Sequence, residues 1–145
     1  MALDINGEFG AISGMLATVP NLRVVLNHVG SSGPPDRLRV GWREEIQRIS
    51  AEPNVRCKVS GLVEQSGAAS GMALTSTEHY LPILDHVSQC FGPDRLLYGS
   101  NWPVSDNGAD YAGVFNVVTG YFRLQGQEIC DKVFYKNAKA AYKVV

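Results

Sequence analysis

The apolar positions of this chain follow two different spacings, one typical of strands and one typical of helices. Residues 22–28 are a short run rich in β-branched residues, residues 95–100 contain the apolar run Leu-Leu-Tyr, and residues 55–61 alternate apolar with polar. These three segments predict strands. Elsewhere apolar residues recur every three or four positions, which predicts amphipathic helices. The helical faces are Ile12, Leu16 and Val19; Leu38, Trp42, Ile46 and Ile49; Tyr80, Leu84, Val87 and Phe91; and Tyr111, Val114, Phe115 and Val118.

Prolines, glycines and small polar residues divide these segments. Pro20 stops the first run, so the first 19 residues are interpreted as the end of a helix. Residues 30–35, 65–76 and 101–108 have the composition of loops. Pro82 is placed in the first turn of its helix. A last helix is predicted from about 127 to 142, with a break near Asn137.

The order of these segments predicts a parallel α/β fold. Strands that recur after roughly 35 to 40 residues, with a helix between them, have the size of a βα unit. Such units give a parallel sheet with right-handed crossovers. Three strands make either a small open sheet or part of a larger one, and the spacing alone does not choose between them.

Composition narrows the classes of partner and compartment. The 145 residues are 45% hydrophobic and 19% charged, which is typical of a globular protein with its own core. A net charge of -1, without basic blocks, argues against nucleic acid or an anionic membrane as a partner. No signal peptide or membrane span is recognisable. Three scattered cysteines without a CxxC motif favour a reduced, cytoplasmic chain without a structural disulfide.

Polar residues follow all three predicted strands, and parallel α/β proteins carry their sites at that end of the sheet. His28 ends the first strand, Lys58 and Ser60 end the second, and Asn101 follows the third. We therefore expect His28, Ser60 and Asn101 to lie together. A histidine in this position can ligate a metal or polarise a carbonyl group, and it can equally be a hydrogen-bonded residue at a strand end. No nucleophile elbow or phosphate-binding loop is present.

Four segments together resemble one known family. FGPDRLLYGSNWPVSD (91–106) resembles a strand that ends in Gly-Ser-Asp-Trp-Pro-Val, and VLNHVG resembles Val-Leu-Asp-His-Leu-Gly. VRCKVSGLVEQ resembles a Lys-hydrophobic-Ser-Gly-Leu strand, and YKNAKAAYKV resembles a closing Asn-Ala-x-x-x-Tyr helix. In this order they resemble the amidohydrolase-related (amidohydrolase 2) family of TIM-barrel hydrolases, with lactonase-like members the most similar. The resemblance extends from Val19 almost to the end of the chain.

The resemblance implies a fold. The three strands are similar to the sixth, seventh and eighth strands of a (β/α)8 barrel, so residues 1–145 are interpreted as the C-terminal part of such a domain. The family's first strand carries a His-x-His pair, which this sequence lacks, and most of the first five strands are not recognisable. We therefore expect an incomplete barrel, truncated or fragmentary, in which Val25, Val59 and Leu97 face the barrel interior and are less covered than in a closed core.

The resemblance also implies an activity: hydrolysis of a lactone, an amide or a related carbonyl compound of small size. His28 would be catalytic, as the residue that points into the site, and it is also the candidate ligand for a divalent metal such as zinc or manganese. Asn101 would occupy the position of the aspartate that activates the attacking water in relatives. Lys58 and Ser60 share a face of their strand, at the mouth of the site, and Trp102 would form an apolar wall.

Two departures from the family keep an alternative open. Asn101 is a neutral amide, which cannot take a proton from water, and the His-x-His pair is not present. We expect the chain by itself to be a poor catalyst without a tight metal site, and replacing Asn101 with aspartate should not rescue it. The alternative is a non-catalytic α/β module that binds a small molecule or a partner. An independent flavodoxin-like nucleotide-binding domain would need a phosphate loop that is not found here.

Overall fold

In the computed structural model, which describes residues 2–7, 9–19 and 21–143, four parallel strands form one sheet in the order β1-β2-β3-β4. The strands are β1 (Leu3–Asn6), β2 (Val24–Asn27), β3 (Val55–Val59) and β4 (Leu96–Tyr98). The helices are α1 (Phe9–Thr18), α2 (Trp42–Ser50), α3 (Thr77–Phe91), α4 (Tyr111–Arg123), α5 (Gln127–Asp131) and α6 (Asn137–Tyr142). A π-helical stretch, Lys132–Lys136, joins α5 to α6.

The three strands expected from the sequence are confirmed as β2, β3 and β4. They are adjacent, parallel and in sequence order, with Leu26 opposite Cys57 and Cys57 opposite Leu96. His28 itself lies just beyond β2, in a single turn of 3-10 helix that the chain enters on leaving the sheet.

The interpretation of the first 19 residues as a helix end alone was wrong. Residues Leu3–Asn6 form β1, which pairs with β2 through Leu3 opposite Val24, and α1 follows. β1 is a short edge strand with two apolar side chains, Leu3 and Ile5, so its pattern is too brief to distinguish it from a helix. Pro20, expected to end the helix, lies outside the described residues.

Two boundaries also differ from those expected. α2 begins at Trp42, so Leu38 lies in the preceding loop, where it still packs against the core. α3 begins at Thr77, which places Pro82 in its second turn and not its first. The break expected near Asn137 takes the form of the π-helical stretch Lys132–Lys136, after which α6 begins at Asn137.

The two faces of the sheet are covered differently. Val24, Leu26, Cys57, Val59 and Leu96 belong to the main core, together with apolar residues of α1 to α4. On the opposite face Val25 and Leu97 pack against Ala141 of α6. The helical layer therefore covers one face, and the C-terminal helix covers part of the other.

The expectation that Val25, Val59 and Leu97 would be poorly covered was wrong. Val59 points into the helical layer, because the alternation of β3 has the opposite phase from the one expected, and it is 0% exposed. Val25 and Leu97 do lie on the other face, but α6 reduces their exposure to 0% and 1%.

Asn137 fixes α6 to the sheet. Its side-chain amide Nδ2 donates to the carbonyl oxygens of Pro93, at 2.7 Å, and Leu96, at 2.8 Å. Asn137 is buried, so these bonds satisfy an amide group that has little access to water. None of the helices in the described residues has the length and hydropathy that a membrane span requires.

Candidate active site

The expected clustering at the carboxyl end of the sheet is confirmed. His28 follows β2, Ser60 follows β3 and Asn101 follows β4 by a short turn, and all three border one cavity of about 450 Å³. Parallel strands bring their carboxyl ends to the same edge, which is why residues far apart in sequence meet here. The cavity is lined by Asn27, His28, Lys58, Ser60, Tyr98, Gly99, Ser100 and Asn101.

His28 is held by its neighbours on β3. Its Nδ1 lies 3.0 Å from the hydroxyl oxygen of Ser60. The backbone of His28 has a φ of 51°, in the left-handed region that non-glycine residues rarely adopt. The ring fills the space over Gly61, where a Cβ atom would come within 2.9 Å of it. Gly61 itself has a φ of 65°. Glycine at this position therefore makes room for the imidazole.

The electrostatic surroundings of His28 favour the neutral ring. Burial lowers the pKa of the imidazole below its ordinary value, and the positive charge of Lys58 lowers it further. The carboxylates of Glu64 and Asp4 oppose this shift without cancelling it. A Ser60 hydroxyl that donates to Nδ1 leaves the ring proton on Nε2, from which it can be donated to a ligand oxygen.

Asn101 is paired with a carboxylate that sequence reasoning missed. Its Nδ2 donates to Oε1 of Glu64 at 2.6 Å, and its backbone is left-handed, with a φ of 57°. Oε2 of Glu64 is buried and has no hydrogen-bond partner in the described part of the chain. Glu64 lies in the loop after β3, where strand periodicity gives no signal. Both residues border a second cavity, of about 180 Å³, that also includes His28.

Gln65 ties the loops after β2 and β3 together. Its Nε2 donates to the carbonyl oxygens of Gly61, at 2.6 Å, and His28, at 3.2 Å. Its Oε1 accepts a hydrogen bond from the backbone N–H of Gly33 at 3.2 Å. These bonds hold the backbone next to Glu64 against the backbone of His28. The positions of the two side chains are therefore set by a common framework.

Lys58 lines the larger cavity at the same face of β3 as Ser60. Its Nζ forms an ion pair with Oδ2 of Asp4 at 3.0 Å, and the hydroxyl of Tyr142 donates to the other oxygen of that carboxylate at 2.8 Å. Burial disfavours the charge of Lys58, but hydrogen bonds with Tyr142 and Asp4 outweigh it, and its pKa is raised. Lys58 is thus a cation anchored across the sheet to β1 and α6.

Trp102 lies apart from these residues. Its side chain is 58% exposed, and it is not among the residues that line either cavity. The left-handed backbone of Asn101 turns the chain at this point, so the amide of Asn101 faces Glu64 while the next side chain faces outward.

The donors on this chain do not by themselves fit a catalytic zinc site. Such a site uses three protein ligands, usually histidine, cysteine or a carboxylate. In residues 2–7, 9–19 and 21–143 no group of three such side chains is close enough to hold a metal ion. His28 and Glu64 supply at most two metal ligands, and the Asn101 amide is a poorer ligand than a carboxylate.

A parallel sheet with helices on one face and a polar cavity at its carboxyl end is the arrangement of α/β-barrel enzymes. The family model described as amidohydrolase (Amidohydro_2) matches residues 8–144. The chain therefore belongs to the amidohydrolase family, a family of hydrolases with lactonases among this chain's relatives.

Two curated relatives are lactonases. The chain is 34% identical over 100 residues to an L-fucono-1,5-lactonase of Burkholderia multivorans, a match that covers 66% of this chain and 34% of that protein. It is 30% identical over 121 residues to an L-fucono-1,5-lactonase of Burkholderia ambifaria, covering 83% of this chain and 38% of that protein. The matched region thus spans little more than a third of each relative.

Solved structures of amidohydrolases have the same fold. A crystal structure of an amidohydrolase from Burkholderia multivorans with bound zinc superimposes with a TM-score of 0.85 at 26% identity, covering 98% of this chain and 52% of that one. An amidohydrolase 2 from Bifidobacterium longum subsp. infantis superimposes with a TM-score of 0.72 and has half of its length, 50%, covered. The four strands described here thus form part of a barrel.

Proposed function

We propose that this chain carries the carboxyl-end site of a hydrolase that opens sugar-acid lactones. The observation that supports this most directly is the cavity at the ends of β2, β3 and β4, where His28, Ser60 and Asn101 meet in a member of the amidohydrolase family. Relatives of the chain include L-fucono-1,5-lactonases and an L-rhamnono-gamma-lactonase of Scheffersomyces stipitis. A cyclic ester with several hydroxyl groups suits a cavity lined mainly by polar side chains.

His28 would bind the carbonyl oxygen of the lactone. Its pKa is lowered by burial, so the ring is neutral near pH 7 and can donate from Nε2 while Ser60 engages Nδ1. This donation stabilises the negative charge that develops on the carbonyl oxygen during attack. Ser60 is then a positioning residue for the ring, and it does not need to act as a nucleophile.

The other polar residues of the cavity would bind the sugar hydroxyls. Asn27 Oδ1 and the Tyr98 hydroxyl are buried and have no hydrogen-bond partner in the described residues, so a ligand hydroxyl near either would satisfy a polar atom. Lys58, although paired with Asp4, lines the same cavity and can reach a ligand oxygen. Asn101 would orient a water molecule or a substrate oxygen. Trp102 is exposed and lines neither cavity on this chain, so its role as an apolar wall stays a prediction.

A zinc or manganese ion, if the complete site uses one, would need ligands in addition to His28. The bound zinc belongs to the neighbouring amidohydrolase structure, and the donor set found on this chain does not reproduce a three-ligand site. The side chains of this chain supply hydrogen bonds to the substrate and can accept or donate a proton.

A second candidate is a module that binds a small molecule without catalysis. The neutral Asn101 favours it, because the residue at the expected position of the water-activating group cannot accept a proton. The two candidates make different predictions for turnover, although both predict binding in the same cavity.

The test is hydrolysis of L-fucono-1,5-lactone and related aldonolactones by the purified chain, followed in a pH-stat against the spontaneous rate. We expect slow turnover, because β1 and β4 are sheet edges and the cavity is open to water. Turnover should disappear in His28→Ala. It should persist in the control His79→Ala, because the ring of His79 lies against Tyr80 on α3, away from the cavity. A rate equal to that of buffer, with lactone binding still detected by NMR shifts around His28, would instead identify the binding module.

A further inference from the structure

The hydrolysis proposed above needs a group that takes a proton from the attacking water, and Asn101 cannot be that group. Its amide carries no basic site at neutral pH, and its Nδ2 is already committed to Glu64. Asn101 occupies the position at which the resemblance implies an acidic side chain. The carboxylate of Glu64 is hydrogen-bonded to it directly. Glu64 is the acidic residue that borders the smaller cavity next to His28.

The two oxygens of Glu64 have different surroundings. Oε1 accepts the short bond from Asn101, at 2.6 Å, which fixes the rotation of the carboxylate. Oε2 is buried and has no partner in the described residues. A buried carboxylate oxygen without a donor is costly, and a water molecule or ligand donor relieves that cost. The arrangement thus leaves one oriented oxygen of a carboxylate ready to accept a hydrogen bond.

Two further observations connect Glu64 to the reacting group. The carboxylate opposes the lowering of the His28 pKa, so its charge is felt at the imidazole. Gln65, the next residue, bonds the carbonyl oxygens of His28 and Gly61, which fixes this part of the loop relative to the ring. His28, which would bind the carbonyl, and Glu64, which would bind the water, both line the smaller cavity.

We propose that Glu64 is the general base for lactone hydrolysis in this site and that Asn101 is its positioning residue. This proposal rests on the proposed function. Glu64 accepts a proton from water as the water oxygen bonds to the lactone carbonyl carbon, and the carbonyl electron pair moves onto the oxygen bound to His28. Collapse of this intermediate breaks the ring C–O bond, and the proton passes from Glu64 to the departing ring oxygen. The products are the open-chain hydroxy acid and a regenerated carboxylate.

The test compares Glu64→Gln, Glu64→Asp and a control, Glu78→Gln, in the pH-stat assay from pH 4 to 9. Glutamine keeps an oxygen for the Asn101 bond, so a purely structural role of Glu64 would survive the change. We expect Glu64→Gln to lower kcat about 100- to 10,000-fold with little change in KM, the usual contribution of a general base. The pH dependence of kcat should change as well, because the variant has no carboxylate to act as the base. Glu64→Asp should recover part of kcat, and Glu78→Gln should match the unchanged chain.

The outcomes separate this proposal from the one it rests on. An unchanged kcat and pH profile in Glu64→Gln, with activity still lost in His28→Ala, overturns the role of Glu64 and leaves the lactonase function standing. Turnover by the unchanged chain no faster than that of His28→Ala overturns the lactonase function and the role of Glu64 together. Near-ultraviolet circular dichroism of each variant checks that a lost rate does not come from a lost fold.

Discussion

The side-chain amide of Asn101 donates a hydrogen bond of 2.6 Å to Glu64, a residue 37 positions earlier in the chain. The pair joins the loop after β3 to the loop after β4, next to the imidazole of His28. A neutral amide can make this bond, whereas a carboxylate in the same place cannot. The pairing therefore gives a structural reason for an asparagine at this position.

Replacing Asn101 with aspartate should destabilise the chain in a pH-dependent way. Two carboxyl groups in contact share a proton, so one of them has a raised pKa in the folded state. The variant should then approach the original stability at about pH 4 and lose stability as the pH rises through the raised pKa. Urea midpoints measured between pH 4 and 8 check this. Asn107→Asp, which replaces an exposed amide bonded to the Val104 carbonyl, is the control and should show no comparable trend.

Replacing Gly61 with alanine should displace the ring of His28. The added Cβ would stand 2.9 Å from the imidazole, and the backbone φ of 65° disfavours any side chain. We expect a loss of about 2–4 kcal/mol in the free energy of unfolding, from backbone strain and steric overlap together. Gly71→Ala is the matched control: its φ is 71°, and nothing lies within 4 Å of the added atom. It should cost only about 1–2 kcal/mol. Equal losses in the free energy of unfolding of the two variants would show that the imidazole of His28 moves aside without an energetic cost.

Protonation of His28 should oppose folding. Burial lowers its pKa in the folded state, so the unfolded chain binds the proton more readily. Its contribution to stability is therefore complete above the unfolded pKa of about 6.5 and declines as the pH falls from there through the folded pKa. Urea midpoints of the unchanged chain and of His28→Gln, measured from pH 5 to 8, should diverge at the acid end, where the unchanged chain loses more. If the urea midpoints of the two proteins changed with pH in parallel, the result would contradict a lowered pKa of His28.

Removing the amide of Asn137 should weaken the attachment of α6. Asn137→Ala abolishes two bonds, to Pro93 and Leu96, and removes the donor of the buried bond to the Leu96 carbonyl oxygen. We expect a loss of about 2–4 kcal/mol in the free energy of unfolding. Asn107→Ala removes a single exposed bond and should cost less than about 1 kcal/mol. Denaturant unfolding of both variants checks the comparison, and equal losses would count against the role of Asn137.

The sequence predicted those parts of the fold that depend on local pattern. The apolar runs that contain Val24–Asn27 and Leu96–Tyr98 are strands because their residues are buried on both faces, and parallel pairing then places His28 and Asn101 at the same edge. Which residues of β3 face the helical layer was not predictable in the same way. Alternation shows that Lys58 and Ser60 share a face, but only the packed helices determine which face Val59 occupies.

Contacts over long sequence distances were not predictable from pattern. Glu64 belongs to a loop, and nothing local indicates that it reaches Asn101. The covering of Val25 and Leu97 by Ala141 depends on where the C-terminal helix docks, which its own periodicity does not specify. Trp102 illustrates the reverse case: an apolar residue next to the site in sequence faces outward because the backbone turns at Asn101.

The bonds of Asn137 have a consequence for the order in which the chain assembles. The carbonyl groups of Pro93 and Leu96 obtain this donor from a residue more than 40 positions later, 44 and 41 respectively. During synthesis β4 leaves the ribosome before α6 does, so the carbonyl groups of Pro93 and Leu96 lack this donor until Asn137 has emerged. Docking of α6 is thereby the later step of the two, and a chain stopped short of Asn137 would expose this edge of the sheet to other unfinished chains.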